Sequence, residues 1–354
     1  MYNMLKKVLK LYHPVRFCTS SASKHTLENL QNRTLVQVEG NEASDFLQGL
    51  ITNDMQHLKD GPGSMFAMFL NTKGRVLYDA IIYRAQEQNG YLIECDKQIA
   101  AALEKHLKMY RVRRKIEITN LQDTYDVHAL FKLRDMKELL DKNVNVIDDG
   151  FIVPCDKLNA TLPKSSSTLY KDLMLFKDPR ISSLGSRILS KKEINVREQL
   201  SDLVEIDQSS TKSYKWLRYA FGIGEGVEDL LSGTSFPLEA NCDYLHGVSF
   251  HKGCYIGQEL TARTHHTGVI RKRLMPLYFT KVPKEFPKDQ IILHEKENLG
   301  KLRGVEGDVG LALLRINKAL NFGEINVGDG VAKVIRPTWW PIEAAKERAA
   351  IKKL

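Results

Sequence analysis

The sequence predicts an α+β fold that ends in a small β-domain. Hydrophobic residues recur at strand spacing in some segments and at helical spacing in others, without the regular strand–helix alternation of a parallel sheet. After about residue 268 only short β-type runs remain, and glycines separate them. This second pattern is typical of a small antiparallel β-barrel or sandwich.

The N-terminal half carries the clearest strand and helix signals. Short apolar runs predict strands at 35–38 and 91–95, and a hairpin over 65–84 whose first strand, 65–70, is buried. Asn41 and Asp96 are the predicted N-caps of the two helices that follow these strands, because their side-chain oxygens can accept from the first-turn amides.

The remaining elements follow in order along the chain. Strands are predicted at 116–118 and 127–130, and a helix at 214–222, whereas 154–170 and 189–213 give only weak signals. The β-type runs of the C-terminal domain are 269–270, 277–279, 291–293, 309–314, 325–327 and 331–335.

The first 23 residues predict mitochondrial targeting. They contain four basic residues and no acid, their apolar residues recur at helical spacing, and serines close the segment. The lysines interrupt the apolar stretch that a secretory signal needs. Loss of the segment lowers the formal net charge from +9 to +5, which suits an acidic partner or an anionic ligand without demanding nucleic acid. No apolar run reaches the roughly 18 residues of a membrane span, so no membrane insertion is expected.

The cysteines argue against a disulfide framework or a zinc ribbon, because their number is odd and no Cys-x-x-Cys occurs. A reducing compartment such as the mitochondrial matrix fits this usage. Cys18 would leave with the transit peptide. The five cysteines are Cys18, Cys95, Cys155, Cys242 and Cys254.

The run at 252–259 is the strongest functional signal. Gly253 and Gly257 would let the backbone turn sharply and present the thiol of Cys254 at the surface. Lys252 and Arg263 are expected to stabilise the thiolate, the form that binds metals. The alternative for a lone cysteine is a small buried hydrophobe. The run reads Lys252, Gly253, Cys254, Tyr255, Ile256, Gly257, Gln258 and Glu259.

With five further blocks in matching order, the sequence resembles a known family over nearly the whole mature chain. It is similar to the mitochondrial iron–sulfur cluster assembly branch of the glycine-cleavage T-protein-like proteins, the folate-binding YgfZ-type family. The resemblance implies an aminomethyltransferase fold and a location in the mitochondrial matrix. The blocks are 46–54, 70–79, 218–226, 237–241 and 260–266.

The resemblance also implies a role in the maturation of [4Fe–4S] proteins together with an A-type scaffold partner. An iron–sulfur cluster usually needs about four ligands, mostly thiolates. Only Cys254 has a ligand-like setting here, so the chain is expected to contribute one ligand to a cluster shared with that partner. His265 or His266 could add a second ligand.

An alternative function is a tetrahydrofolate-dependent one-carbon transferase, the activity of T-proteins. Those enzymes have paired acids after the hairpin turn and another acid in an Arg-x-Glu-x-Gly stretch. This chain has Tyr78 before Asp79, and Ala220 at the second position, so catalysis is uncertain. A folate-like pocket could still be lined by Lys73, Arg75, Asp79 and Glu239.

A third alternative rests on the basic run at 111–115. As a strand it would align three cations on one face, yet no aromatic RNA-binding motif accompanies it, so a solvated strand edge is favoured over nucleic-acid binding.

The predicted domains are a transit peptide at 1–23, an aminomethyltransferase-like region of two intertwined subdomains at 24–267, a β-barrel at 268–340 and a helix or tail at 341–354.

Overall fold

The computed structural model describes residues 24–60, 63–85, 90–133, 167–287 and 289–341. The predicted transit peptide, Cys18, Cys155 and the C-terminal tail after residue 341 lie outside this range. The described part mixes short helices with antiparallel strands, which confirms the α+β class.

Sixteen strands are described. They are β1 (Thr26–Asn29), β2 (Arg33–Glu39), β3 (Ser64–Leu70), β4 (Val76–Arg84), β5 (Gly90–Asp96), β6 (Glu117–Asn120), β7 (Tyr125–Phe131), β8 (Ser167–Tyr170), β9 (Leu173–Lys177), β10 (Ser186–Lys191), β11 (Lys272–Lys281), β12 (Ile291–His294), β13 (Glu297–Glu306), β14 (Val309–Arg315), β15 (Glu324–Val327) and β16 (Gly330–Val334).

The α-helices of the described residues are mostly short, and none has the length and apolar character that crossing a bilayer requires. They are α1 (Ala43–Gln48), α2 (Gln56–Asp60), α3 (Ala100–Arg111), α4 (Val196–Leu200), α5 (Tyr214–Ala220), α6 (Gly226–Asp229), α7 (Gln258–Thr267) and α8 (Ile316–Phe322).

The strands form three antiparallel sheets. The first has the order β3-β4-β5-β2-β6 and the second the order β1-β7-β10-β9-β8. The third, β12-β13-β14-β11-β16-β15, is a nearly closed barrel whose edge strands meet where the amide of Asn326 donates to Nδ1 of His294 at 3.2 Å. The predicted C-terminal barrel is therefore confirmed.

Strand β3 shows why the first sheet lies at the centre of the molecule. All seven of its residues are buried, so its sequence is a continuous apolar run rather than an alternating one. Phe66 and Met68 point into the core shared with α5 and the barrel, whereas Met65 and Phe69 point into the core under α1 and α3. The first sheet is thus covered on both faces.

Several local predictions need correction. Glu42, not Asn41, occupies the N-cap position of α1. The basic run at 111–115 is not a strand, because α3 continues to Arg111 and a turn follows. Val269 lies in a loop and is 63% exposed. Strand β13 was not predicted, because its glycines and cations interrupt the apolar alternation.

A buried ionic network joins the first two sheets to the α5–α6 segment. Glu225 accepts from Arg187 at 2.5 Å and lies 2.8 Å from Arg180, and Glu94 accepts from Arg33 at 2.9 Å. Burial opposes ionisation of Glu225, yet the surrounding guanidinium groups hold its pKa well below its usual range. The full set is Arg33, Arg180, Arg187, Arg218, Asp79, Glu94, Asp178, Glu225 and Asp229.

Replacing Glu225 by alanine should strongly destabilise the protein, because Arg180 and Arg187 would lose a shared buried acceptor. The free energy of unfolding, measured by urea denaturation, should fall by about 3–5 kcal/mol. The control is Glu297→Ala, which removes an exposed pair with Lys318 and should cost less than about 1 kcal/mol. Equal losses in the two variants would contradict a structural role for the network.

Candidate functional site

Cys254 lies at the surface, in the loop that leads into α7. Of the three described cysteines it is exposed, whereas Cys95 and Cys242 are fully buried. Burial raises the pKa of Cys95 to about 12, so that thiol stays protonated in the core. Cys242 packs beneath Gly247, where an added Cβ would lie 2.7 Å from its sulfur. The reactive candidate among the described thiols is therefore the predicted one.

The ammonium group of Lys252 holds this loop against the end of α1. Its Nζ donates to the backbone carbonyls of Gln48, Ile51 and Asn53 at 2.6, 2.8 and 2.6 Å. All three hydrogens are thereby used. These hydrogen bonds give Lys252 a structural task, while its expected effect on the thiolate of Cys254 stays a prediction.

Burial lowers the pKa of Lys252 to about 8, and the nearby carboxylate of Asp54 acts in the opposite direction. The carbonyls that surround Nζ belong to the last turn of α1 and the turn after it. The carbonyl of Gln48 has no partner within α1, because the last carbonyls of a helix have no following amide to accept a hydrogen bond from. Lys252 supplies the missing donors.

Backbone and hydroxyl contacts reinforce the same junction. The amides of Ser249 and Ile256 donate to the carbonyls of Thr52 and Gly49 at 3.0 and 3.1 Å. The hydroxyl of Thr52 donates to the carbonyl of Gly247 at 2.6 Å. Two segments about 200 residues apart in the sequence therefore form one structural unit, with Cys254 on its outer side.

Gly257 allows α7 to begin against the β3–β4 hairpin. Its φ is +78°, and an added Cβ would lie 2.3 Å from the carbonyl oxygen of Asn71. Only glycine fits both constraints. The side chain of Gln258, the first residue of α7, accepts from the amide of Tyr255 at 3.0 Å and closes the turn.

Gly253 differs from Gly257, because the fold does not require it. Its φ lies outside the left-handed region, and an added Cβ would meet no atom within 4 Å. The open space lies directly beside Cys254. No side chain therefore blocks another molecule from approaching the backbone at residue 253.

The far end of α7 is also linked to the segment before the motif. The ring of His265 stacks on Phe250 with centroids 3.6 Å apart and an interplanar angle of 10°. His266, Arg263 and Glu259 lie exposed on α7. Within the described ranges, no group of three or more His, Cys, Asp or Glu side chains is arranged to hold a metal ion.

The candidate residues for a folate-like pocket differ in how far the fold already engages them. Asp79 lies inside the ionic network, where one oxygen accepts from the amide of Gly226 at 3.0 Å and the other lies 3.4 Å from Arg33. Burial raises its pKa, and Arg33 opposes that shift. Its carboxylate is therefore already engaged within the fold.

The other three lie on or near the hairpin turn. Lys73 is exposed, and Arg75 donates to the carbonyl of Thr234 at 2.7 Å while stacking 3.6 Å over the ring of Phe236. Burial raises the pKa of Glu239, and the positive charges of Lys272 and Arg75 oppose that shift. A folate-like pocket formed by these residues stays a prediction.

Comparison with known proteins identifies the family. The GCVT N-terminal domain matches residues 21–131, and the CAF17 C-terminal beta-barrel domain matches residues 271–342. The human mitochondrial iron–sulfur cluster assembly factor IBA57 is 35% identical over 331 residues, which cover 88% of this chain and 84% of the human protein. The chain belongs to the IBA57 family. The mouse member is 35% identical over 343 residues, covering 90% of this chain and 86% of the mouse protein.

Membership of the IBA57 family confirms two predictions, the mitochondrial location and the coarse function of an iron–sulfur cluster assembly factor. A solved structure, the glycine cleavage system aminomethyltransferase T from Bartonella henselae, aligns with a TM-score of 0.64 over 90% of this chain and 87% of that chain. At 16% identity this likeness shows a shared fold, and the predicted aminomethyltransferase-like fold is confirmed.

The sequence motif missed the partners that hold Cys254 in place. Three of them are backbone carbonyls, which carry no residue-type signal. The block at 46–54 contained a usable hint, since a short helix followed by Thr52, Asn53 and Asp54 predicts a turn with unsatisfied carbonyls.

Thiol labelling under native conditions should separate the described cysteines. A maleimide should modify Cys254 rapidly, whereas Cys95 and Cys242 should react only after unfolding, because both are fully buried. Peptide mapping by mass spectrometry would measure the extent at each site. Native labelling of Cys95 or Cys242 at a rate similar to that of Cys254 would show that this burial is wrong.

The stability of the protein should depend on pH through Lys252. Its folded pKa of about 8 lies below the usual 10.5, so the unfolded chain binds the proton more tightly. The free energy of unfolding should therefore rise between pH 8 and 10.5. Over this range it should rise by at most about 3 kcal/mol more than the free energy of unfolding of Lys252→Met does. Urea denaturation across this range would measure it, and parallel slopes for the two proteins would contradict the shift.

Proposed function

We propose that this chain acts in the maturation of [4Fe–4S] proteins by binding an A-type scaffold protein, with Cys254 as its ligand to a cluster that the two proteins share. The observation that carries this proposal is the exposed thiol on a loop fixed by Lys252 and Gly257, while Cys95 and Cys242 are buried in the core.

A shared cluster follows from the number of ligands. Clusters of this type usually take about four, mostly thiolates, and Cys254 is the thiol in the described chain that a partner can reach. The partner would supply the remaining ligands. The cluster is cargo rather than a resident cofactor, and a cluster held across an interface can pass on when the two proteins separate.

The neighbouring residues have separate tasks in this proposal. Lys252 and Gly257 hold the loop in one conformation, so the thiol needs little ordering when the partner arrives. Gly253 leaves room for the partner's backbone beside the thiol. The exposed Arg263 and Glu259 on α7 provide polar contacts at the rim.

Replacing Cys254 by serine should remove the shared cluster and leave the fold intact. With the wild-type chain, an A-type scaffold and iron and sulfide under reducing conditions, a visible-absorbing cluster should co-elute with the mixed complex in gel filtration. With Cys254→Ser the visible absorbance should stay with the scaffold alone. The control is Lys318→Ala on the barrel, which should behave as wild type.

A second variant tests the approach to the thiol. Gly253→Val should leave the stability and maleimide labelling of Cys254 nearly unchanged, because its backbone angles and surroundings admit a side chain. The same variant should weaken the mixed complex, because the new side chain stands where the partner approaches. The proposal would be overturned if the visible absorbance that co-elutes with the mixed complex were as strong for Cys254→Ser as for the wild-type chain.

A further inference from the structure

A strained turn follows α3. The amide of Arg114 donates to the carbonyl of Arg111 at 3.0 Å, and Val112 sits at the first central position with φ 50° and ψ −107°. This is the conformation of a type II′ turn, in which glycine is usual. A β-branched residue there costs free energy, and such strain is concentrated at functional positions.

The side chain at this turn contributes no core packing in return. Val112 is 79% exposed, and Met109, in the last turn of α3, is 65% exposed. Burial of apolar surface is the usual reason for keeping a β-branched residue in a poor conformation. Here two apolar side chains three positions apart are both exposed to solvent, so core packing does not account for them.

Basic side chains surround the two apolar ones. Glu104 pairs with Lys108 at 2.5 Å, and Glu42 lies 3.6 Å from Arg114, so these acids offset part of the charge. A surplus of positive charge remains. The basic residues are Lys105, Lys108, Arg111, Arg113, Arg114 and Lys115.

The turn also borders an open cavity of about 540 Å³, lined by Tyr110, residues 111–114 and Glu42. Three of the lining side chains are guanidinium groups, which bind phosphate oxygens in a bidentate manner. A cavity of this size can accept a phosphate-bearing head group. Val112 is itself one of the lining residues, and Met109 precedes them directly in the sequence.

We infer that this surface, residues 105–115 with Glu42, docks the protein peripherally on an anionic lipid membrane. Val112 and Met109 enter the interfacial layer, while the arginines bind lipid phosphates. In such contacts, electrostatic attraction to anionic lipids and the burial of apolar area both contribute to the free energy of binding. The mitochondrial location of the family supplies membrane surfaces, and the contact needs no spanning segment.

The shape of the surface favours lipid over a protein or nucleic-acid partner. A projecting valine needs a matching pocket on a protein, whereas a lipid interface deforms around it. Single-stranded nucleic acid is bound by stacking on exposed aromatic rings. Tyr110, the aromatic residue that lines the cavity, already contacts the ring of His106, with centroids 4.9 Å apart.

The membrane surface and the Cys254 loop lie at opposite ends of one short helix. Glu42 directly precedes α1, and Gln48, its last residue, accepts from Lys252. A six-residue helix is about 9 Å long. Docking would therefore hold the Cys254 loop close to the membrane, although the inference does not depend on cluster binding.

Vesicle flotation with the full chain tests the inference. The protein should float with vesicles of equal parts phosphatidylcholine and phosphatidylglycerol, remain behind with phosphatidylcholine alone, and dissociate as salt rises. Arg113→Glu should weaken binding more than about tenfold, because it reverses a charge at the surface. Val112→Gly should weaken binding about fivefold by removing apolar area.

Val112→Gly also separates function from structure. Glycine relieves the strain at φ 50°, so the urea midpoint should not fall even though vesicle binding weakens. The matched control is Leu293→Ser, which removes an apolar side chain 58% exposed on β12 and should leave vesicle binding unchanged.

Three outcomes would overturn the inference. One is the absence of flotation with anionic vesicles. Another is binding that Arg113→Glu and Val112→Gly both leave unchanged. The third is retention on a polyglutamate column without vesicle binding, which would assign the surface to an acidic protein partner.

Discussion

The fold depends on the burial of four arginines where the first two sheets meet the α5–α6 segment. Each guanidinium group loses its hydration, and only carboxylates held at hydrogen-bond distance offset that loss. Glu225 is shared by Arg180 and Arg187, and Glu94 by Arg33 and Arg187, so neither sheet can shift without unpairing a charge. The network thereby fixes the orientation of α5 and α6, on which the C-terminal barrel packs.

The Cys254 loop is also held by a buried cation and its acceptors, on a smaller scale. A helix end leaves carbonyls without donors, and a buried ammonium group needs acceptors, so Lys252 and the turn after α1 satisfy each other. The consequence is a rigid base under Cys254. A thiol on such a base can be exposed and still held in one place, which suits the proposed role of Cys254 as a ligand to a shared cluster.

Two features at opposite ends of α1 remain unsatisfied by the fold. One is the exposed thiol of Cys254, with open space beside Gly253. The other is Val112, strained and exposed within a basic surface. Neither feature contributes to the packing of the described core, so we assign both to contacts with molecules outside the chain. In the proposals above they bind a shared cluster and an anionic membrane, and α1 sets the distance between them.

The sequence alone determined the α+β class, the C-terminal barrel and the mitochondrial location, and it singled out Cys254 as the candidate ligand, because these inferences depend on local periodicity, composition and one short motif. Only the tertiary structure decided the task of Lys252, the engagement of Asp79 in the ionic network, and the turn at 111–114. Their partners come from distant segments or from backbone carbonyls. Residue types along a chain do not encode such contacts, since each exists only once the sheets and helices have packed.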